Sequence, residues 1–443
     1  MENGVIRCFI VNLKRRTDRK VHTIKQFDNR EEFEMNVIEA FENPVGSIGL
    51  WTTIRHILKD LLEPKDEYII LFQDDHLFTN EYSKEHLLDY INEAQSLHAD
   101  ILACGVSGFT SAIPISNHIF WVEIFSGLQF TVIFRKFFQK ILDADFENIN
   151  AADLKLCELT GNKFFIHPFL SIQKEFGYSD VTPSNNTQGY IDKGFEDSGE
   201  KVKIINTVST FYKQKLKATE AFKRLAGFES VVIPTYIIHL NKTTECISAI
   251  EKQFAGKHEF DVTIMEACYH KNKELALSSS LKKIIEIAIK NDDDVIIICR
   301  PDHQFTQHYE PGYFIPLIWK AGLLGCNVLL GGMETFNLAL PVENNIFWID
   351  SFQSANFFVI YKSFYTSILQ ESFCDSDTLE SKFSQMTSNK IALHPFISEK
   401  QDFGDKEINQ QNNFRKAIAL HPINADERMI ELKNAWKKYN NGA

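Results

Sequence analysis

An acidic pair followed by histidine, Asp74-Asp75-His76, stands directly after the apolar run Tyr68-Ile69-Ile70-Leu71-Phe72 and Gln73. Two carboxylates side by side at the end of a buried strand repel, each raising the other's proton affinity unless a cation offsets the charge. A divalent metal is the natural remedy. Asp oxygens with an imidazole suit manganese, and magnesium serves if the histidine takes no part. Taken alone, Asp-Asp after a strand reads more simply as a capped turn. Recurrence favours the metal: Asp302-His303 follows the second apolar run Val295-Ile296-Ile297-Ile298-Cys299, and the distant His167-Pro168 returns as His394-Pro395. Asp75, His76 and His167 are the expected ligands, with Asp302, His303 and His394 as their counterparts.

All these pairs share one shift of 227 residues, which also carries Ile119-Phe120-Trp121 onto Ile346-Phe347-Trp348 and Phe176-Gly177 onto Phe403-Gly404. The register holds without a gap from near residue 5 to 186. This is a duplicated domain and not a short-period solenoid. The division that follows is a first domain over 1–185, a polar linker and connecting helix over 186–228, a second repeat over 229–415 and a C-terminal helix over 416–443.

The chain of 443 residues is long enough for two such domains, each with its own core. A hydrophobic share of 44% with 24% charged residues is ordinary for a soluble globular protein, and most of the 37 Phe are accounted for by packing. The net charge of −12 argues against a nucleic-acid partner. No signal-peptide pattern opens the chain and no run of eighteen apolar residues interrupts it, so the expectation is a cytoplasmic protein whose membrane contact, if any, is peripheral. Eight scattered Cys without a CxxC pair read as reduced core fillers.

The elements that must position the acidic cluster are legible in outline. Val5 to Leu13 is an apolar run that breaks into Lys14-Arg15-Arg16-Thr17-Asp18-Arg19-Lys20, a strand leaving into a basic loop or helix. Pro44-Val45-Gly46-Ser47 precedes a helical spacing over Ile48 to Leu62. Tyr68 to Phe72 has the continuous apolar pattern of a central strand covered on both faces. Further strands are expected at Asp100 to Val106, Gln129 to Phe134 and Lys163 to Ile166, and helices at Lys136 to Asp143, Thr207 to Leu225 and Ala425 to Tyr439. Strands alternating with helices predict an α/β fold in each repeat, a mainly parallel, Rossmann-like sheet flanked by helices, with ligands beyond the carboxyl ends of the strands.

These residues resemble glycosyltransferase family 25, the lipooligosaccharide and procollagen galactosyltransferase group. Asn12-Leu13-Lys14-Arg15-Arg16-Thr17-Asp18-Arg19 is similar to the family's Asn-Leu-x-Arg-x-x-x-Arg opening. Gly46-Ser47-Ile48-Gly49-Leu50-Trp51 is similar to its Gly-rich helix entry, and Ile69 to Asp75 to its Leu-x-Leu-Glu-Asp-Asp strand end. His167-Pro168 through Gln173 to Ser179-Asp180 is similar to its closing element. The match spans about the first 185 residues, and Gln73 departs from it by replacing the first acidic residue.

The resemblance implies a GT-A nucleotide-sugar fold, present twice, in which an acidic motif holds Mn2+ or Mg2+ against the diphosphate of a donor, UDP-linked by preference. It implies an inverting transfer to a saccharide or a protein or peptide hydroxyl. Leaving-group charge grows as the glycosidic bond breaks, and a cation stabilises it without needing a proton. Asn12, Arg15, Arg19, Gly46 and Asp74 become the donor-binding residues, since guanidinium groups meet phosphate oxygens bidentately. Asp153 becomes the candidate base, with Glu380 at the same place in the second copy, although Asp153 reads equally well as a helix start. Trp121 and Trp348 fit a sugar platform less well than a core.

The second copy keeps Asp302, His303, His394 and Glu380 but changes Arg16-Thr17-Asp18-Arg19 to Thr243-Thr244-Glu245-Cys246, Gly46 to Lys273 and Asp74 to Pro301. Chemistry is therefore expected in the first copy. The rival readings are a metal-dependent phosphoesterase or nucleotidyltransferase, and a noncatalytic carbohydrate- or peptide-binding scaffold.

Overall fold

The computed structural model describes residues 6–147, 151–179, 183–219, 231–240, 244–401 and 424–440. Contacts divide the chain into two compact units, Met1–Thr207 with Asn434–Ala443, and Val208–Lys433. The join expected near residue 228, together with Asp180, Phe403 and Gly404, lies outside the described residues.

In the first unit the chain runs β1 (Ile6–Asn12), α1 (Thr17–Gln26), β2 (Phe33–Glu39), α2 (Gly46–Asp60), β3 (Tyr68–Gln73), β4 (His76–Phe78), α3 (Lys84–Ser96) and β5 (Ile101–Ala103). It continues through β6 (Gly108–Phe109), β7 (Ala112–Pro114), β8 (Ile119–Val122), β9 (Phe125–Ser126), β10 (Phe130–Phe134), α4 (Arg135–Asp143), α5 (Ala152–Leu159), β11 (Lys163–Ile166), β12 (Ser171–Gln173) and α6 (Tyr190–Thr219).

Eight of these strands form one sheet in the order β2-β1-β3-β10-β5-β11-β8-β7. All but β8 and β10 point the same way, which follows from the parallel pairing of β1 with β2 and β3 and of β5 with β11, and from the antiparallel pairings of β8 and β10. The unbroken apolar run Ile69-Ile70-Leu71-Phe72 is completely buried because β3 is central and covered on both faces. A separate two-stranded ribbon, β4 with β12, pairs His76 opposite Gln173.

The second unit repeats this order strand for strand: Phe260–Glu266, Ile233–His239, Val295–Cys299, Phe357–Tyr361, Val328–Gly332, Lys390–Leu393, Ile346–Ile349 and Ala339–Glu343. Each unit is thus a Rossmann-like α/β domain with a mainly parallel sheet, as the repeat predicts. Among the described residues no helix is long and apolar enough to cross a membrane.

One local expectation changes. The polar stretch assigned to a linker before Thr207 is helical from Tyr190 onward. Its apolar signal is sparse but periodic, with Ile191, Phe195, Ser198, Val202 and Ile205 all buried at spacings of three and four. Gly194 lies on that stripe where a Cβ would press on the Ser107 carbonyl, so the glycine permits close approach.

Candidate functional site

The chain leaves β1 through α1 to β2 on one side, then crosses through α2 to β3 on the other, so the strand order reverses between β1 and β3. In open α/β sheets such a switch point leaves a crevice beyond the strand ends. Register places Val11 opposite Gln73, which brings Asn12 and the loop after it against Asp74 and Asp75. The acidic pair and the basic cluster, about sixty residues apart in sequence, meet there because neighbouring parallel strands end together.

Asp74 is enclosed. Its Oδ1 accepts from Arg19 Nη1 at 3.1 Å, its Oδ2 accepts from Asn12 Nδ2 at 3.0 Å and from Arg16 Nη1 at 3.4 Å, and its carbonyl accepts from Thr23. Arg19 also reaches Asp75 Oδ2 at 3.4 Å and donates to the Tyr178 carbonyl. Its guanidinium lies over the rings of Phe176 and Tyr178, with centroids at 4.7 and 4.4 Å. Burial works against this charge, yet Asp74 and Asp75 outweigh it and raise the Arg19 pKa above its ordinary value.

Asp75 differs from its neighbour. Its side chain keeps 16% exposure against 6% for Asp74, and its buried Oδ1 has no hydrogen-bond partner among the described residues. Burial first, and the adjacent Asp74 second, push its pKa up to about 6 against the pull of Arg19 and Arg16.

The expected metal ligands do not come together. His76 is fully buried, with Nδ1 2.7 Å from Ser171 Oγ and its ring packed among Phe72, Phe78 and Phe130. It is a core histidine that ties β4 to β12, because a side chain following the turn after β3 points inward. Burial lowers its pKa well below the ordinary value, which keeps the ring neutral. His167 ends β11, three places from β3 in the sheet and so about 14 Å away. It packs against Phe120 and Phe169 and faces Gly199 of α6. Among the described residues no three His, Cys, Asp or Glu could hold a metal ion. The donor set at the strand ends, two carboxylates already bridged by guanidinium groups, does not fit the implied cation.

Four further residues change role. Arg19 and Asn12, expected on the donor, are buried and spent on Asp74. Asp74, expected on the donor too, is enclosed by them. Asp153, the expected base, sits at the second position of α5; its Oδ2 accepts from the Gly127 amide at 3.1 Å and its Oδ1 from the Leu154 amide at 3.0 Å. Burial raises its pKa despite these bonds, and the carboxylate serves to hold the β9–β10 turn to the helix start. Trp121 and Trp348 are core residues whose indole N–H groups donate to the Gly161 and Ser388 carbonyls at 2.7 and 2.6 Å.

Arg15 and Gly46 remain at the crevice rim. Arg15 is 54% exposed, 3.9 Å from Glu42, and Gly46 opens α2. Sequence reasoning missed Tyr178 and Phe176 as walls of the Arg19 site. The recurrence of Phe176-Gly177 was the available signal, but only folding brings that segment beside α1.

In the second unit the same position is arranged differently. Arg300, standing where the first unit has Gln73, donates from Nη2 to Glu380 at 2.6 Å. Glu380 is buried, so the carboxylate matching Asp153 is paired with a cation, whereas Asp153 is held by amides. Asp302 keeps a buried Oδ1 without a partner among the described residues, and burial raises its pKa against the influence of Arg300 and Lys400. His303 repeats the buried contact with Ser398 at 2.7 Å, while His394 turns to Asp426 at 3.0 Å.

No protein-family model matches this chain, and no curated protein matches it. Among solved structures, the crystal structure of apo UDP-glucose pyrophosphorylase aligns with 11% identity and a TM-score of 0.27 over 45% of this chain and 82% of its own.

Proposed function

We propose that the first unit is a glycosyltransferase of the family 25 type, moving a sugar from a nucleotide-sugar donor, UDP-linked by preference, to a saccharide or protein hydroxyl. The observation that carries this reading is the convergence of Arg16, Arg19, Asp74 and Asp75 at the β1/β3 switch point, where open α/β sheets bind nucleotides. The rim Arg15 and the amides at the start of α2 are suited to diphosphate oxygens.

In the reaction the acceptor hydroxyl oxygen forms a bond to the anomeric carbon while the bond to the diphosphate breaks. The electron pair leaves with the phosphate oxygen, whose growing charge the rim Arg15 and the α2 amides stabilise. The hydroxyl proton passes to Asp75, the more exposed member of the acidic pair. This gives inversion at the sugar carbon.

Release of nucleoside diphosphate from a panel of UDP- and GDP-sugars, with candidate saccharide acceptors present, tests the reading. Asp75→Asn should abolish release, and Asp302→Asn should leave it intact. Loss with the Asp302 change alone would move the chemistry to the second unit. Cleavage of phosphodiesters without sugar transfer would replace the reading with a phosphoesterase.

A further inference from the structure

A paired carboxylate needs a counter-charge, and here the protein carries its own. Arg19 lies between Asp74 and Asp75, its charge reaching both at 3.1 and 3.4 Å, and it is only 5% exposed. It is held from behind by the Tyr178 carbonyl and flanked by two aromatic rings. Tyr178 is fixed in turn by its hydroxyl, which donates to Asp18 at 3.1 Å. Asn12 and Arg16 complete the shell around Asp74. A guanidinium enclosed on so many sides is a built part of the site, unlike a surface arginine that swings aside when a ligand enters.

The internal repeat supplies an independent observation. In the second copy Asp74 becomes Pro301, and the two arginines that meet it become Thr243 and Cys246. Asp74 and the two guanidinium groups that meet it are lost together, and the surviving Asp302 is influenced instead by Arg300 and Lys400. Asp302 survives without an adjacent carboxylate in sequence, since Pro301 precedes it.

We propose that Arg19 is the resident cation of this site, occupying the place between the two carboxylates that a divalent metal would need, and that donor binding and transfer proceed without added metal. The second half rests on the glycosyltransferase reading; the first half does not.

The test uses the full chain and two readouts. Free Mn2+ is followed by electron paramagnetic resonance during titration with protein, without nucleotide. Calorimetry then measures UDP-glucose binding in EDTA and in millimolar Mn2+. The wild-type chain should leave the Mn2+ signal unchanged, and its affinity for UDP-glucose should agree within about twofold in the two buffers. Arg19→Gln, checked for folding by circular dichroism, should gain Mn2+ binding that a further Asp75→Asn change removes. Stoichiometric Mn2+ binding by the wild-type chain, lost in Asp75→Asn, would overturn the proposal even if Arg19→Gln fails to fold. So would affinity more than about tenfold weaker in EDTA. If Mn2+ stays free and no UDP- or GDP-sugar of the panel binds in either buffer, the Arg19 assignment stands and the glycosyltransferase reading falls.

Discussion

His76 Nδ1 lies 2.7 Å from Ser171 Oγ, and the second unit repeats the contact between His303 and Ser398 at the same distance. Both imidazoles are fully buried. Burial, with a smaller contribution from Lys257, pushes His303 down to about 3, whereas the unfolded side chain titrates near 6.5. The unfolded chain therefore binds a proton that the fold refuses, so the stabilisation is complete above about 6.5 and is lost as pH falls toward 3. Each such histidine contributes a slope of up to about 1.4 kcal/mol per pH unit in that window. Urea midpoints measured across it should fall less steeply for His303→Gln than for the wild type, and identical slopes would refute the account.

Glycine is required where the β4–β12 ribbon passes the main sheet. A Cβ at Gly105 would run into the Ser171 carbonyl, and one at Gly332 would run into the Ser398 carbonyl. These clashes are with backbone, which cannot turn aside. Gly105→Ala and Gly332→Ala should each destabilise their unit by about 1–3 kcal/mol. Gly161→Ala, where a Cβ meets open space, should stay within about 0.5 kcal/mol. Differential scanning calorimetry of the three variants distinguishes these outcomes.

In the second unit, Arg300→Gln restores the residue that the first unit carries but strands Glu380, which is only 5% exposed. Removing one partner of a largely buried pair costs about 3–5 kcal/mol when both are enclosed, and less here because Arg300 is 29% exposed. The double change Arg300→Gln with Glu380→Gln should recover most of the loss. Thermal denaturation measures both, while nucleoside diphosphate release should be unmoved in either variant.

At the rim of the first unit, Arg15→Ala should weaken binding of a UDP-sugar about tenfold, with folding largely unchanged, because the side chain is 54% exposed and its ion pair with Glu42 is a surface one. Arg15→Lys should recover only part, since an ammonium cannot bridge two phosphate oxygens. Calorimetric titration reads both. Equal affinity for all three chains would remove Arg15 from the donor site.

Much of the architecture was legible because it depends on periodicity and repetition. The unbroken apolar run of β3 could only be a strand covered on both faces, and the shift of 227 residues carried every element of one sheet onto the other. The start of α6 was hidden because its five buried positions are diluted by polar and glycine residues. The candidate site was legible as an inventory of Asp74, Asp75, His76, His167 and the arginines, but not as an arrangement. His76 and Asp75 are adjacent in the chain yet point into different environments, one into a Phe-lined core and one to the crevice.

By itself the sequence determined that the chain is duplicated, that each copy is a Rossmann-like α/β domain, and that acidic residues end the central strand beside a basic loop. These are properties of nearest neighbours and repeating patterns, which survive in one dimension. Only the tertiary structure decided which side chains stand beside the acid pair. Electrostatic partnership depends on distance and burial, and the β1/β3 register that sets Arg19 against Asp74, like the two strands between His167 and Asp75, exists only once the sheet has assembled.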